Sequence, residues 1–340
     1  MKPLQGWKKP SKNKQVILSL APLHGYTDKT YRTLLNKHFG GVDRIYAPFI
    51  SPSSGKISTK LFKDFQENDV PQLLGKDGVL LANTAQLLQR EGWNEVNLNL
   101  GCPVHTVAAK GRGSGLLPHP DLIRKILEEV HRGASPKWSV KLRLGRKSDQ
   151  EFPALVEVLK DFPLTEVILH PRTGVQLYTG AADWQALKLL QDAPWPVQLS
   201  GDVFSKTHFD TVKNNFPWLK GVFLGRGLCA NPFLAEEIKA SPPKTTPPAQ
   251  EWERFWNFYQ DFQQERALLL PQYPLVLHKA LKAFWLYPCG SFIQGSEWYK
   301  RLVRSNSLEE YQEQVQSFKF QSYTWSQEGQ RLLSPYTPLL

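Results

Sequence analysis

EVNLNLGCPVHTVAAKGRGSGLL, residues 95–117, decides how the chain is read. Val96, Leu98 and Leu100 alternate with Asn97 and Asn99, the period-two pattern of a strand. Gly101 breaks that pattern, and Pro103, which has no N–H to give a ladder, ends it. Cys102 is thereby placed at the carboxyl end of a strand, where α/β barrels carry their chemistry. A cysteine met at random is more often an inert buried residue. The neighbouring Lys110-Gly-Arg-Gly-Ser-Gly115 argues for a working thiol instead, because glycines and two cations can approach an anionic ligand closely.

Outward from this strand the same unit repeats. Strand-like runs at 16–20, 44–49, 70–75, 139–145, 166–171, 196–201 and 221–225 join it. Helix-like runs at 31–38, from the Asp77 cap onward, and at 121–130, 152–159, 183–190, 206–214 and 232–239 alternate with them. This predicts a (β/α)₈ TIM barrel over 16–240. A doubly wound sheet would want G-x-G-x-x-G in its first turn, and Ala21-Pro-Leu-His-Gly25 lacks it. Residues 1–15 read as a basic lead-in and 241–250 as a Pro-rich linker. Beyond it, Trp252, Phe255, Trp256, Tyr259 and Phe262 take helical spacing, predicting a small all-helical domain over 251–340. The aromatic stripe is read as its core rather than as a base-stacking surface.

Composition bounds the partners. No apolar run approaches the roughly 20 residues of a membrane span, and the basic N-terminus has no apolar region of a secretory signal. Three scattered cysteines fit neither a disulfide framework nor a metal pattern, so a reducing, cytoplasmic setting without a bound metal is expected. The net charge of +11 points to an anionic macromolecule as partner.

In such a barrel, phosphate is held after the seventh and eighth strands. Those ends read Ser200-Gly201-Asp202 and Gly225-Arg226, offering backbone N–H groups and a guanidinium. Lys141 shares a strand face with Arg143 and needs an anionic partner inside a barrel. His170 and Arg172 end the sixth strand, and Gln72 stands in the third.

NLNLGCP followed by KGRGSGLL resembles the active-site segment of the tRNA-dihydrouridine synthases, FMN enzymes of which the bacterial type, and its DusC-like subgroup, is the nearest match. APLHGYTD (21–28), QLLGKDG (72–78), VKLRLG (140–145), LHPRTGVQLYTGAADW (169–184), SGD (200–202) and GVFLGRGLCANPF (221–233) follow in family order. Asn97, Pro171, Ser200, Phe223 and His24 depart from the family's usual residues. The resemblance implies FMN contacts from Pro22, Leu23, His24, Gln72, Lys141, His170, Ser200, Gly201, Asp202, Gly225 and Arg226. It implies Asn99, Arg172 and Tyr178 at the substrate, and Cys102 as the acid that protonates C5 of a uracil while hydride reaches C6. It further implies NADPH or NADH as reductant and a tRNA-binding helical domain. A monomer is expected, since the tRNA-binding face must stay open. Rival readings are a reductase of free pyrimidines, and an RNA-binding module that holds no flavin.

Overall fold

The computed structural model describes residues 16–53, 62–133, 136–241, 248–292 and 294–320. The lead-in 1–15, most of the Pro-rich linker (242–247) and the last twenty residues of the expected helical domain lie outside the described residues. The described residues form two compact units, one within 16–22, 43–201 and 212–223, the other within 23–42, 202–211 and 224–320.

The first unit is a parallel barrel. Its strands are β1 (Ile17–Leu20), β2 (Arg44–Tyr46), β3 (Asp69–Val70), β4 (Gln72–Leu73), β5 (Glu95–Leu100), β6 (Lys137–Gly145), β7 (Val167–Thr173), β8 (Val197–Ser200) and β9 (Gly221–Leu224). They neighbour one another in the order β3-β2-β1-β9-β8-β7-β6-β5-β4. β3 and β4 are one stave cut by Pro71, which has no N–H, though its carbonyl accepts from Asn97 N at 2.8 Å. β3 pairs with β2 and β4 with β5, so the ring closes with eight staves, as the sequence predicts.

Alternation along each stave divides the side chains. Val96, Leu98 and Leu100 on β5, Val140, Leu142 and Leu144 on β6, and Val167 and Leu169 on β7 are buried on one face. The other face carries Gln72, Asn97, Asn99, Ser139, Lys141, Arg143, His170, Gln198 and Ser200. This face of the barrel therefore carries a set of buried polar side chains that must be satisfied internally, beside an apolar cluster of Ala21, Tyr46, Val70, Ile168 and Phe223. Near the strand starts, Glu166 accepts from Gln198 Nε2 at 2.6 Å, from Arg44 Nη1 at 3.3 Å and from the Tyr46 hydroxyl. Gln198 also accepts from Ser19 Oγ at 3.2 Å, and Arg44 reaches Glu95 at 2.7 Å. This floor ties strands β1, β2, β5 and β8 to the residue that precedes β7. Pro171 lies within β7, and the β6–β7 register shifts between Arg143↔His170 and Gly145↔Thr173.

The second unit is helical. Asp28 caps the helix Lys29–His38 by accepting from Tyr31 N at 3.1 Å. The helices Pro248–Leu269, Pro274–Phe284, Gly295–Val303 and Leu308–Phe320 follow. Phe255, Tyr259 and Phe262 are buried, so the aromatic stripe is core, as expected. Trp285 and Trp298 meet edge-on at 4.9 Å, and Tyr259 and Tyr311 hydroxyls bond at 2.8 Å. The units do not divide at 241–250. The helix Lys29–His38 packs with Pro248–Leu269, Tyr31 and Phe39 lying 5.6 and 5.2 Å from Phe258. Arg254 joins Glu236 at 2.6 Å and donates to His38 O at 2.6 Å. The helix over 248–269 starts at Pro248, inside the expected linker.

Candidate active site

Cys102 is partly exposed and follows directly from β5. Its position is held by three separate contacts. Asn99 Oδ1 accepts from Gly101 N at 3.0 Å and from Cys102 N at 2.8 Å, closing a tight turn at the strand end. Ser114 N donates to Cys102 O at 3.0 Å. Gly113, at φ +55, lies so close that a Cβ there would stand 2.8 Å from Cys102 O and 2.9 Å from its Cβ. The Gly-rich segment thus packs on the cysteine itself. Gly113 is needed for that approach, while a Cβ at Gly115 would meet the Ala108 backbone instead.

Burial pushes the Cys102 thiol pKa up; a hydrogen bond from the Val104 backbone and the charges of Arg143 and Lys141 pull it partly back. The net direction is upward, so Cys102 keeps its proton at neutral pH. Cys229 and Cys289, both buried, are pushed up to about 12.

Lys141 lies opposite Asn99 in the β5–β6 register. Burial, then the neighbouring Arg143, lower its pKa to about 7. Among the described residues no carboxylate pairs with it. A desolvated ammonium without a counter-charge is a place made for an anionic ligand edge.

Gln72, fully buried, donates from Nε2 to Asn97 Oδ1 at 2.7 Å and accepts from Asn99 Nδ2 at 2.8 Å. His170 and Arg172 are also buried. Arg172 Nη1 donates to His170 Nε2 at 3.1 Å, and Nη2 to Gly180 O at 2.6 Å. Because guanidinium only donates, His170 Nε2 is the acceptor and its ring hydrogen sits on Nδ1. Gly201, at φ +127, faces that ring, and a Cβ there would come within 3.1 Å of His170 Cδ2. Arg172, expected at the substrate, is buried, and its guanidinium ties His170 to Gly180. Tyr178 is partly exposed, its ring 5.9 Å from that of His170. Ser200 is buried at the end of β8.

Two arginines were not singled out as site residues from the sequence. Arg143 donates to Thr173 O and Leu177 O, both at 2.8 Å, and lies 5.5 Å from the Tyr178 ring centre. It fixes the loop that carries Tyr178, including Leu177 at φ 50. Arg146 donates to Pro103 O and Ser114 Oγ, each at 3.2 Å, joining the residue after Cys102 to the Gly-rich segment. The available signal was Arg143's shared face with Lys141; Arg146, past the strand end, gave none.

In the second unit, Arg226 pairs with Asp202 at 2.9 Å and stands over the Phe204 ring at 5.2 Å. Asp202 adopts φ +59, and Gly225 precedes the short helix Arg226–Ala230. Leu23 accepts from Thr27 N at 3.0 Å and its own N–H donates to Thr27 Oγ1 at 2.8 Å, shaping the turn in which His24 is exposed. Pro22 is partly exposed at the end of the first unit's opening segment. No group of side chains among the described residues could hold a metal ion, and no described helix is long and apolar enough to cross a membrane.

The tRNA-dihydrouridine(16) synthase of Aquipseudomonas alcaligenes is 29% identical over 272 residues, 75% of this chain and 86% of that one. The enzyme of the same name from Pseudomonas syringae pv. tomato is 30% identical over 240 residues, 66% of this chain and 75% of that one. The tRNA-dihydrouridine synthase B of Vibrio parahaemolyticus is 27% identical over 227 residues, 65% and 70% of the two chains. Among solved structures, an old yellow enzyme homologue from Zymomonas mobilis overlays with a TM-score of 0.48 at 13% identity, over 69% of this chain and 91% of that one. The family model for dihydrouridine synthase (Dus) matches residues 19–322, which spans both compact units, the thiol at the end of β5 and the lysine opposite it. The chain belongs to the dihydrouridine synthase family.

Proposed function

We propose that the chain reduces a uridine of tRNA to 5,6-dihydrouridine, with FMN as the hydride carrier and Cys102 as the acid. The observation that carries this is the placement of Cys102 directly after β5, with Lys141 opposite Asn99 on the neighbouring strand, desolvated and without a counter-charge among the described residues. FMN fits that donor set, because the N1/C2=O edge of its ring accepts from a cation. Lys141, Gln72 and His170 would hold the ring. Ser200, Gly201, Asp202, Gly225 and Arg226 are proposed for the phosphate, and Pro22, Leu23 and His24 for further contacts with FMN.

When bound, reduced FMN supplies the hydride for C6, and NADPH or NADH restores it. The remaining work falls to the chain. Cys102 Sγ gives its proton to C5, and a thiol near its ordinary pKa or above both retains and releases that proton without being a strong nucleophile. Asn99, one of whose Nδ2 hydrogens is committed to Gln72, offers the other to the C4 carbonyl as charge gathers there. Arg143 holds the Tyr178 loop over the same mouth. The base must leave its stack to reach this depth, which suits a loop of tRNA.

The relatives named for position 16 favour uridine 16 and agree with the DusC-like subgroup. The protein is proposed to act in the cytoplasm as a monomer. The test is the visible spectrum of the purified protein before and after denaturation, then incubation with NADPH and unmodified tRNA. FMN release and dihydrouridine mapped to position 16 are expected. A colourless protein that cannot be reconstituted with FMN would overturn the proposal.

A further inference from the structure

Three segments leave the carboxyl ends of β5, β6 and β7, and one side chain touches all of them. Arg146 follows β6 directly, and its backbone is fixed first. Its N–H donates to Glu151 Oε2 at 2.7 Å, and its carbonyl accepts from Val175 N at 3.0 Å. Its Nη1 then donates to Pro103 O and to Ser114 Oγ, each at 3.2 Å, which uses both hydrogens of that nitrogen. The same group lies across Gly174, just past β7. A Cβ at Gly174 would stand 3.0 Å from Arg146 Nη1 and 2.9 Å from Ser114 Oγ. Ser114 is wholly buried and its N–H holds Cys102 O, while Pro103 is the next residue after the thiol. From Gly174 the chain runs on through Leu177, whose carbonyl Arg143 holds at 2.8 Å, to Tyr178.

We propose that Arg146 is a positioning residue for the reduction, locking the segment that carries the Cys102 thiol to the segment that carries Tyr178. The bonds from Gly101 N and Cys102 N to Asn99, and from Ser114 N to Cys102, all lie within residues 99–114. That segment can shift as a body with every one of them intact. Arg146 ties it across to the next two strand ends, and so sets where the thiol stands relative to the Tyr178 segment. The charges that act on the thiol are those of Arg143 and Lys141, which leaves Arg146 to act on it by placement. An acid must lie within hydrogen-bond reach of the atom it protonates, and a misplacement of about 1 Å can cost about a hundredfold in rate.

The junction can be opened from either side. Arg146→Met keeps an unbranched apolar stem of similar shape and removes both donors. Arg146→Lys keeps a cationic donor on a shorter stem, so it restores part of the tie. Gly174→Ala leaves Arg146 in place and pushes a Cβ against its Nη1. That atom is the free end of a flexible side chain, and Gly174 does not need a left-handed backbone, so the variant displaces the guanidinium at little cost to the fold.

This inference rests on Cys102 as the acid, and the experiment separates the two. Single-turnover formation of dihydrouridine is measured in FMN-loaded protein at saturating unmodified tRNA, with FMN and tRNA dissociation constants alongside. The rate of Cys102 alkylation by iodoacetamide is followed against pH in the same proteins. Arg146→Met and Gly174→Ala are expected to slow the turnover about tenfold or more at unchanged FMN and tRNA affinity, and Arg146→Lys to recover part of the loss. The pH midpoint of alkylation is expected to stay where it is in wild type. Wild-type turnover in Gly174→Ala and in Arg146→Met would overturn the inference and leave Cys102 as the acid. A loss of affinity large enough to explain the slower rate, or a moved alkylation midpoint, would also overturn it, since Arg146 would then act by binding or by charge. Turnover as fast in Cys102→Ala as in wild type would remove the acid, and the inference with it.

Discussion

At the scale of the residue, the site is governed by what each charge loses on burial. Lys141 is lowered to about 7, so it sheds its proton as pH rises through neutrality in the ligand-free protein. A flavin edge that needs the cation should bind more weakly as pH rises above about 7, by up to about tenfold per pH unit. Titration of FMN into apoprotein between pH 7 and 9 should show this fall, and Lys141→Met should bind weakly with no pH dependence. A flat wild-type profile would exclude Lys141 as the flavin's cation. The sign for folding is opposite: the unfolded chain holds the lysine proton up to its ordinary pKa. Stability lost at Lys141 is therefore regained as pH climbs from about 7 toward 10.5. Cys102, raised by burial, should alkylate with iodoacetamide more slowly than a free thiol at pH 7.5 and accelerate at alkaline pH. Cys229 and Cys289 should stay unlabelled in the folded protein. Fast labelling of Cys102 at pH 7.5 would show a thiolate and remove it as the acid. The placement of Cys102 directly after β5 and of Lys141 on the inner face of β6 was legible in the sequence, because strand alternation and Pro103 fix both. The enclosure of Arg172 was not, because strand alternation gives the face of a side chain but not the loop that covers it.

At the scale of the element, local rules worked where the backbone alone decides. Pro103 ends β5, Asp77 caps its helix by accepting from Leu80 N at 3.0 Å, and the glycines around Cys102 mark a close approach. They did not say what approaches: Lys110–Gly115 reads equally as an anion cradle, and the contact of Gly113 with Cys102 is tertiary. Gly113→Ala should therefore cost more than an ordinary helix or loop substitution. A left-handed φ and a Cβ driven into Cys102 together cost on the order of 1–3 kcal/mol. Denaturant unfolding should show the loss, with a changed alkylation rate at Cys102. An alanine variant as stable as wild type would mean that the segment shifts freely and does not position the thiol. Pro71 shows the converse, since the run over 70–75 was visible while its division into β3 and β4 depends on which neighbours pair with it.

At the scale of the whole molecule, the count of β/α units was enough to foretell a closed barrel, because eight parallel staves each need a crossover of similar length. The sharing-out of helices was not legible. Residues 23–42 lie early in the chain yet belong with the C-terminal helices, through Tyr31, Phe39 and Phe258, and a linker rich in proline says nothing of such long-range packing. The buried floor on Glu166 also escaped the sequence, since a lone glutamate before a strand has no pattern. Glu166→Leu leaves Gln198, Tyr46 and Arg44 each short of an acceptor. It should destabilise the protein by about 3 kcal/mol or more, read by denaturant unfolding; a loss below about 1 kcal/mol would mean that water replaces the carboxylate. The central claim for the molecule is that a protonated thiol at the end of β5 completes the reduction of a tRNA uridine. The most direct measurement is a single turnover in which FMN-loaded protein is reduced, mixed with unmodified tRNA and followed by flavin reoxidation and dihydrouridine content. Cys102→Ala should retain its flavin and form dihydrouridine at least about a hundredfold more slowly than wild type. Equal rates in the two proteins would contradict the account.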